Sequence, residues 1–227
     1  MNAISTVAKR SALALVCLVA AVGCSTEQAG PRAADPCAIA DPSAERDLLK
    51  QITGSGDFDT RVNATTAHLV DSLKGDVRSL PSTPWLMCGY VPKQGKDADR
   101  VQLQVRWLYR ESKEQNPKDT VPVEASGAVG WAGDTGSQLR VRCDLPGDLR
   151  QQSDNALLAV EESFRIGAPR PNMTQADRDR QTSLTYLMAR RVTEALGCEN
   201  KPLKRAPVVK VLPSPTPTPT PTPTPKS

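Results

Sequence analysis

The chain has 227 residues, a net charge of +4 at pH 7, 4% aromatic residues, six cysteines and one histidine. So small a charge does not mark a nucleic-acid binder, one histidine leaves little scope for a zinc site, and scarce aromatics call for an aliphatic core. With its two unusual ends set aside, about 160 residues remain, enough for one domain with a real core.

The amino-terminal stretch has three zones. Lys9 and Arg10 carry charge, Ala12 to Val22 is apolar, and small residues lead into Ala21-Val22-Gly23-Cys24. The apolar run is too short to span a membrane and reads as a secretion signal. Its end resembles the lipobox of bacterial lipoproteins, with Ala21 in place of the usual Leu. That resemblance implies cleavage at residue 23, a diacylglyceryl thioether on Cys24 and an acylated new amino terminus. Each buried acyl methylene contributes about 0.8 kcal/mol, so several chains make a firm anchor. Residues 24–36 read as a polar tether.

Asp41-Pro42 predicts a helix start, with Leu48, Leu49 and Ile52 on one face and Gly54 as the stop. Asp57 to Arg61 reads as a turn. A second helix is expected over Val62 to Val77, ended by Pro81 and Pro84. Four strands should follow: Trp85 to Val91, Arg100 to Arg110, Val121 to Trp131 and Gln138 to Leu145. In the second of these, Val101, Leu103, Val105, Trp107 and Tyr109 share one face. The last two should form a hairpin about Gly133-Asp134-Thr135-Gly136. Ser153 to Phe164 reads as helix. Thr174 with Asp177 resembles a capping box opening a final helix that ends at Gly197.

This order gives an α+β domain over residues 37–200, with an antiparallel sheet of about four strands under helices. Residues 201–227 read as a disordered tail. From Pro213 they are nearly pure Thr-Pro repeat, expected as an extended polyproline rod of about 3 Å per residue. With Cys17 and Cys24 set aside, Cys37, Cys88, Cys143 and Cys198 form an even set, which in an exported chain suggests two disulfides. Of three pairings, Cys37–Cys88 with Cys143–Cys198 is favoured. Each bond would tie the end of a helical segment to a strand and close a loop of about fifty residues. The sequence leaves the connectivity open.

No catalytic motif stands out. His68 lacks a nucleophile motif beside it, and Ser126-Gly127 and Gly136-Ser137 lack the flanks of a G-x-S-x-G elbow. Gly127, Gly130, Gly133 and Gly136 recur every third residue with no G-K-[ST] after them, so they suit close strand packing better than a phosphate loop. Asn63-Ala64-Thr65 and Asn172-Met173-Thr174 match the N-glycosylation pattern, which carries little weight in a bacterial lipoprotein. Arg106, Arg110, Arg140 and Arg142 fall on the polar parity of two expected strands. If those strands are neighbours, they form a basic patch able to grip carboxylate or phosphate bidentately. The competing reading is a solvated face neutralised by Glu124 and Asp144.

The lipobox at Cys24, Asp35-Pro36-Cys37 before a capped helix, and Trp85-Leu86-Met87-Cys88 in the first strand resemble small secreted lipoproteins of high-GC Gram-positive bacteria. The resemblance covers the anchor and the first third of the mature chain. It implies an address on the outer face of the cytoplasmic membrane and no particular activity. The expectation is a non-catalytic binding or accessory module of the envelope, without cofactor, metal or nucleic acid. Its partners would be the membrane, through the anchor, and an envelope protein or anionic wall polymer. The alternative is an envelope hydrolase using carboxylates.

Overall fold

Eight strands in one antiparallel sheet carry the fold. The computed structural model describes residues 35–93, 100–112, 116–165 and 173–213. All belong to one compact unit. The leader, Cys24, the tether up to residue 34, the Thr-Pro repeat beyond residue 213 and the sequon at Asn172 lie outside the described residues.

In chain order the elements are α1 (Ala44–Thr53), β1 (Phe58–Val62), α2 (Thr66–Asp76), β2 (Trp85–Pro92), β3 (Arg100–Tyr109), β4 (Val121–Ala125), β5 (Ala128–Ala132) and β6 (Gly136–Val141). A 3-10 turn (Gly147–Leu149), α3 (Arg150–Asp154), β7 (Ala156–Arg165), α4 (Gln175–Leu196) and β8 (Val209–Val211) complete it. The strands lie in the order β1-β2-β3-β7-β6-β5-β4-β8, so the fold is α+β with helices packed on an antiparallel sheet, but the sheet has eight strands rather than about four.

The added strands show where alternation misleads. β7 replaces the helix expected over Ser153 to Phe164. It is the strand between β3 and β6, and Leu158, Ala159 and Val160 are all at most 1% exposed. Ala156 to Val160 form a short continuous apolar run in the sequence, which periodicity cannot tell from helix, although Leu157, Glu161 and Ser163 on one face are only half-buried. β1 replaces the turn expected at Asp57 to Arg61. It is an edge strand whose last four residues are exposed, held by pairing of Phe58 to Val62 with Pro92 to Cys88. The single strand expected over Val121 to Trp131 is two, because Ser126 (φ 45°) and Gly127 (φ 98°) turn the chain there. Ser126 is held in that conformation by its hydroxyl, which donates to the Ala206 carbonyl (2.8 Å) and accepts from Val208 N–H (3.0 Å). β8 pairs with β4, and Leu203 is 3% exposed. The folded domain therefore runs past residue 200, where the sequence places its end.

Helix ends follow their caps. Ser43, not Asp41, caps α1 through a bond from Arg46 N–H. Thr65 caps α2 by accepting from His68 N–H, which starts that helix four residues later than expected and leaves Val62 to β1. Thr174 and Asp177 form the full capping box of α4, and Gly54 and Gly197 end α1 and α4 in the left-handed conformation (φ 75° and 73°).

The core lies between sheet and helices. α4 crosses β5, β6 and β7, and α1 and α2 pack against α4. Leu49, Leu73, Leu103, Val105, Trp107, Leu139, Val160, Leu184 and Met188 are all fully buried there. Trp107 also bonds its indole N–H to the Leu73 carbonyl (2.8 Å), locking β3 to α2. Tyr109, expected beside Trp107, instead lies at the strand end and is 52% exposed. Arg191 of α4 pairs with Glu45 of α1 (2.9 Å) and donates to the Ala38 carbonyl. Burial alone would raise the Glu45 pKa, but its backbone hydrogen bond and Arg191 outweigh this and lower it. The disulfides pair Cys37 with Cys88 and Cys143 with Cys198, the favoured connectivity. All four sulfur residues are at most 4% exposed. Each bond closes a loop of just over fifty residues, worth about 4 kcal/mol in the chain-entropy account. Among the described residues no helix is long and apolar enough to cross a membrane.

Candidate functional site

Three places gather polar or charged groups. The first is the sheet face away from the helices. Directly paired residues of an antiparallel sheet point the same way, so the register sets out one row across it: Arg106, Ala159, Arg140, Val129, Glu124 and Lys210. The strands bearing Arg106 and Arg140 are not neighbours, because β7 lies between them. The two arginines flank Ala159, about 10 Å apart along two strand spacings. Arg140 Nε donates to Gln138 Oε1 (3.0 Å), whose amide donates to Glu161 (3.2 Å). Arg110 and Arg142 lie outside this row, beyond the ends of β3 and β6. Arg110 donates to the Asp154 carbonyl (3.2 Å). Arg142 is held by Asp144 (2.8 Å) and Asp154 (3.1 Å). The four-arginine patch therefore reduces to a pair, interleaved with Glu124 and Glu161 in a face of mixed charge.

The second place is a cavity of about 510 Å³ between the last turns of α4 and residues 197–204. Buried Thr193, Cys198 and Leu203 line it, with Arg190, Lys201, Lys204, Glu194 and Glu199 around them. Thr193 engages its hydroxyl on the Arg190 carbonyl (2.8 Å). Glu199 is paired with Arg150 (2.5 Å).

The third is a polar cluster sealed under α4. Glu162 of β7 is fully buried. Its Oε2 accepts from Thr185 Oγ1 (2.9 Å), which also lies 2.6 Å from Ser137 Oγ. Glu162 Oε1 and the buried Gln181 Oε1 have no hydrogen-bond partner. Burial pushes the Glu162 carboxyl up to about 8, against the opposing effect of the Thr185 hydroxyl. At neutral pH it is mostly a neutral acid inside the core.

His68 is exposed, 3.5 Å from Ser72 Oγ and edge-on to Trp85 at 5.8 Å between centroids. Asn63 of the first sequon donates its side-chain amide to the Leu86 carbonyl (3.3 Å). Among the described residues no group of three or more His, Cys, Asp or Glu side chains could hold a metal. Comparison with family models, curated proteins and solved structures gives no match.

Sequence reasoning missed the cavity and the Glu162 cluster. The cavity's Lys201, Leu203 and Lys204 fall in what reads as a tail, and their one signal is a lone Leu in Lys201-Pro202-Leu203-Lys204 a few residues after Cys198. Glu162 was hidden by the helical reading of its strand.

Proposed function

We propose that this chain is an extracytoplasmic lipoprotein, anchored through Cys24, whose domain is a non-catalytic binding or accessory module of the cell envelope. The observation that carries the reading is the pair of buried disulfides, one on each side of the sheet's middle strands. Such bonds persist in oxidising compartments, and the lipobox-like stretch before Cys24 supplies a route to one. Binding is assigned to the open sheet face, where Arg106 and Arg140 stand on either side of small Ala159. A partner bearing two carboxylates or phosphates spaced to match would meet both side chains.

The test is crosslinking in intact cells with a reagent that does not enter the cytoplasm. The chain carrying Arg106→Glu and Arg140→Glu is compared with the original. The original should capture an envelope component, and the double reversal should lower the yield roughly tenfold or more, since like charges now face each other. Capture that is absent from both, or equal in both, would overturn the assignment of this face.

A further inference from the structure

The cavity at the carboxyl end of α4 is held open by its walls. Cys198 is tied to Cys143. Asn200 bridges two backbone groups, accepting from Asp144 N–H (3.2 Å) and donating to the Arg142 carbonyl (3.0 Å). Glu199 N–H bonds the Asp144 carbonyl (2.8 Å). At the far end Leu203 is buried and Tyr186 donates to the Arg205 carbonyl (3.0 Å). Beside so firmly fixed a strap, this half-open groove of about 510 Å³ is a preformed pocket of small-ligand size. Within the strap Lys201 takes a left-handed conformation (φ 42°), which a residue with a Cβ adopts only where its surroundings impose it. Such strained positions cluster at ligand sites.

The lining chooses the ligand. Its buried part is apolar and its rim is cationic. Arg190, Lys201 and Lys204 face two carboxylates, of which Glu199 is already paired with Arg150. None of the three cations has an ion-pair partner among the described residues. The end of α4 carries partial negative charge, but its last carbonyls are capped, Thr193 by Cys198 N–H and Glu194 by Gly197 N–H. With Glu199 paired to Arg150, the three cations outweigh the remaining carboxylate, Glu194, together with that residue of dipole.

We infer that this pocket binds an anionic amphiphile, its phosphate or carboxylate head on Lys201, Lys204 and Arg190 and its apolar body against Leu203, Thr193 and the Cys143–Cys198 bond. The site is independent of the sheet face and of the anchor.

The experiment is calorimetric titration of the full chain carrying Cys24→Ser, so that no acyl group of its own competes. The probes are dodecyl phosphate and laurate below their micelle concentrations, with inorganic phosphate, dodecanol and dodecyltrimethylammonium beside them. One or both anionic amphiphiles should bind, and the stronger names the head group. Head alone, tail alone and the cationic amphiphile should each bind at least tenfold more weakly. Lys201→Glu with Lys204→Glu should weaken the anionic probe at least tenfold while leaving the thermal midpoint in place. Failure of both anionic probes to bind, equal binding of the cationic amphiphile, or affinity unmoved by the double substitution would overturn the site.

Discussion

Gly130→Ala should cost the domain more than about 3 kcal/mol, beyond the usual range for overpacking a single methyl. A Cβ at position 130 would stand 1.7 Å from the Gln138 carbonyl oxygen, 2.7 Å from its carbon and 3.0 Å from the Leu139 Cα. All three are backbone atoms of β6, so no rotamer change relieves the clash. β5 must move away from β6, and the ladder from Val129 to Ala132 opens. Gly136→Ala meets the same obstacle on the next strand, with its Cβ 2.2 Å from the Glu162 carbonyl oxygen. Gly75 in α2 is the control. Nothing lies within 4 Å of a Cβ there, so Gly75→Ala should stabilise by about 0.5–1 kcal/mol through helix entropy. Urea unfolding of the three variants checks this. An alanine at 130 that unfolds at the original midpoint would contradict the close approach of β5 and β6.

Raising the pH from about 5 to about 8 should destabilise the domain by several kcal/mol through Glu162. Its folded pKa, about 8, lies above its ordinary 4.5. Between these values the folded state keeps a proton that the unfolded chain has released, so each pH unit costs about 1.4 kcal/mol. The stabilisation is fully present below the unfolded value and lost as pH climbs to the folded one. Glu162→Gln keeps the shape and a donor but has no proton to lose. It should match the original near pH 5, exceed it near pH 8 and show a flatter profile between. Parallel profiles for the two proteins would mean that Glu162 titrates in the folded state as it does in the unfolded.

The legible parts of this chain were those where one residue type performs one local task. Thr174, Asp177 and Gly197 bound α4 because caps act within a single turn. Val101 to Trp107 revealed their strand because one face of β3 is buried and the other is half-exposed. The favoured disulfide pairing, which ties a helical segment to a strand at each bond, is the one found, although the sequence left the connectivity open. β7 was illegible because Ala156 to Val160 are apolar at five successive positions, which hides the alternation of the strand they begin. β1 and β8 were illegible because edge strands rest on backbone pairing, to which side chains contribute little. The arginine patch needed the strand order, which alternation does not encode. With β7 inserted, Arg106 and Arg140 remain in one row, while Arg142 turns to Asp144 and Asp154 instead. The cavity required knowing that residues 198–205 fold back along α4, and only the contacts of Asn200, Leu203 and Tyr186 reveal that.

The compartment on which the functional proposal depends is tested most directly by the intact mass and amino-terminal fragment masses of the protein purified from bacterial membranes. A chain that begins at Cys24, with a diacylglyceryl group on its sulfur and an acyl group on its amine, is the predicted result. A chain that retains residues 1–23 unmodified, or one that begins after Cys24, would contradict the anchor and with it the assignment to the envelope.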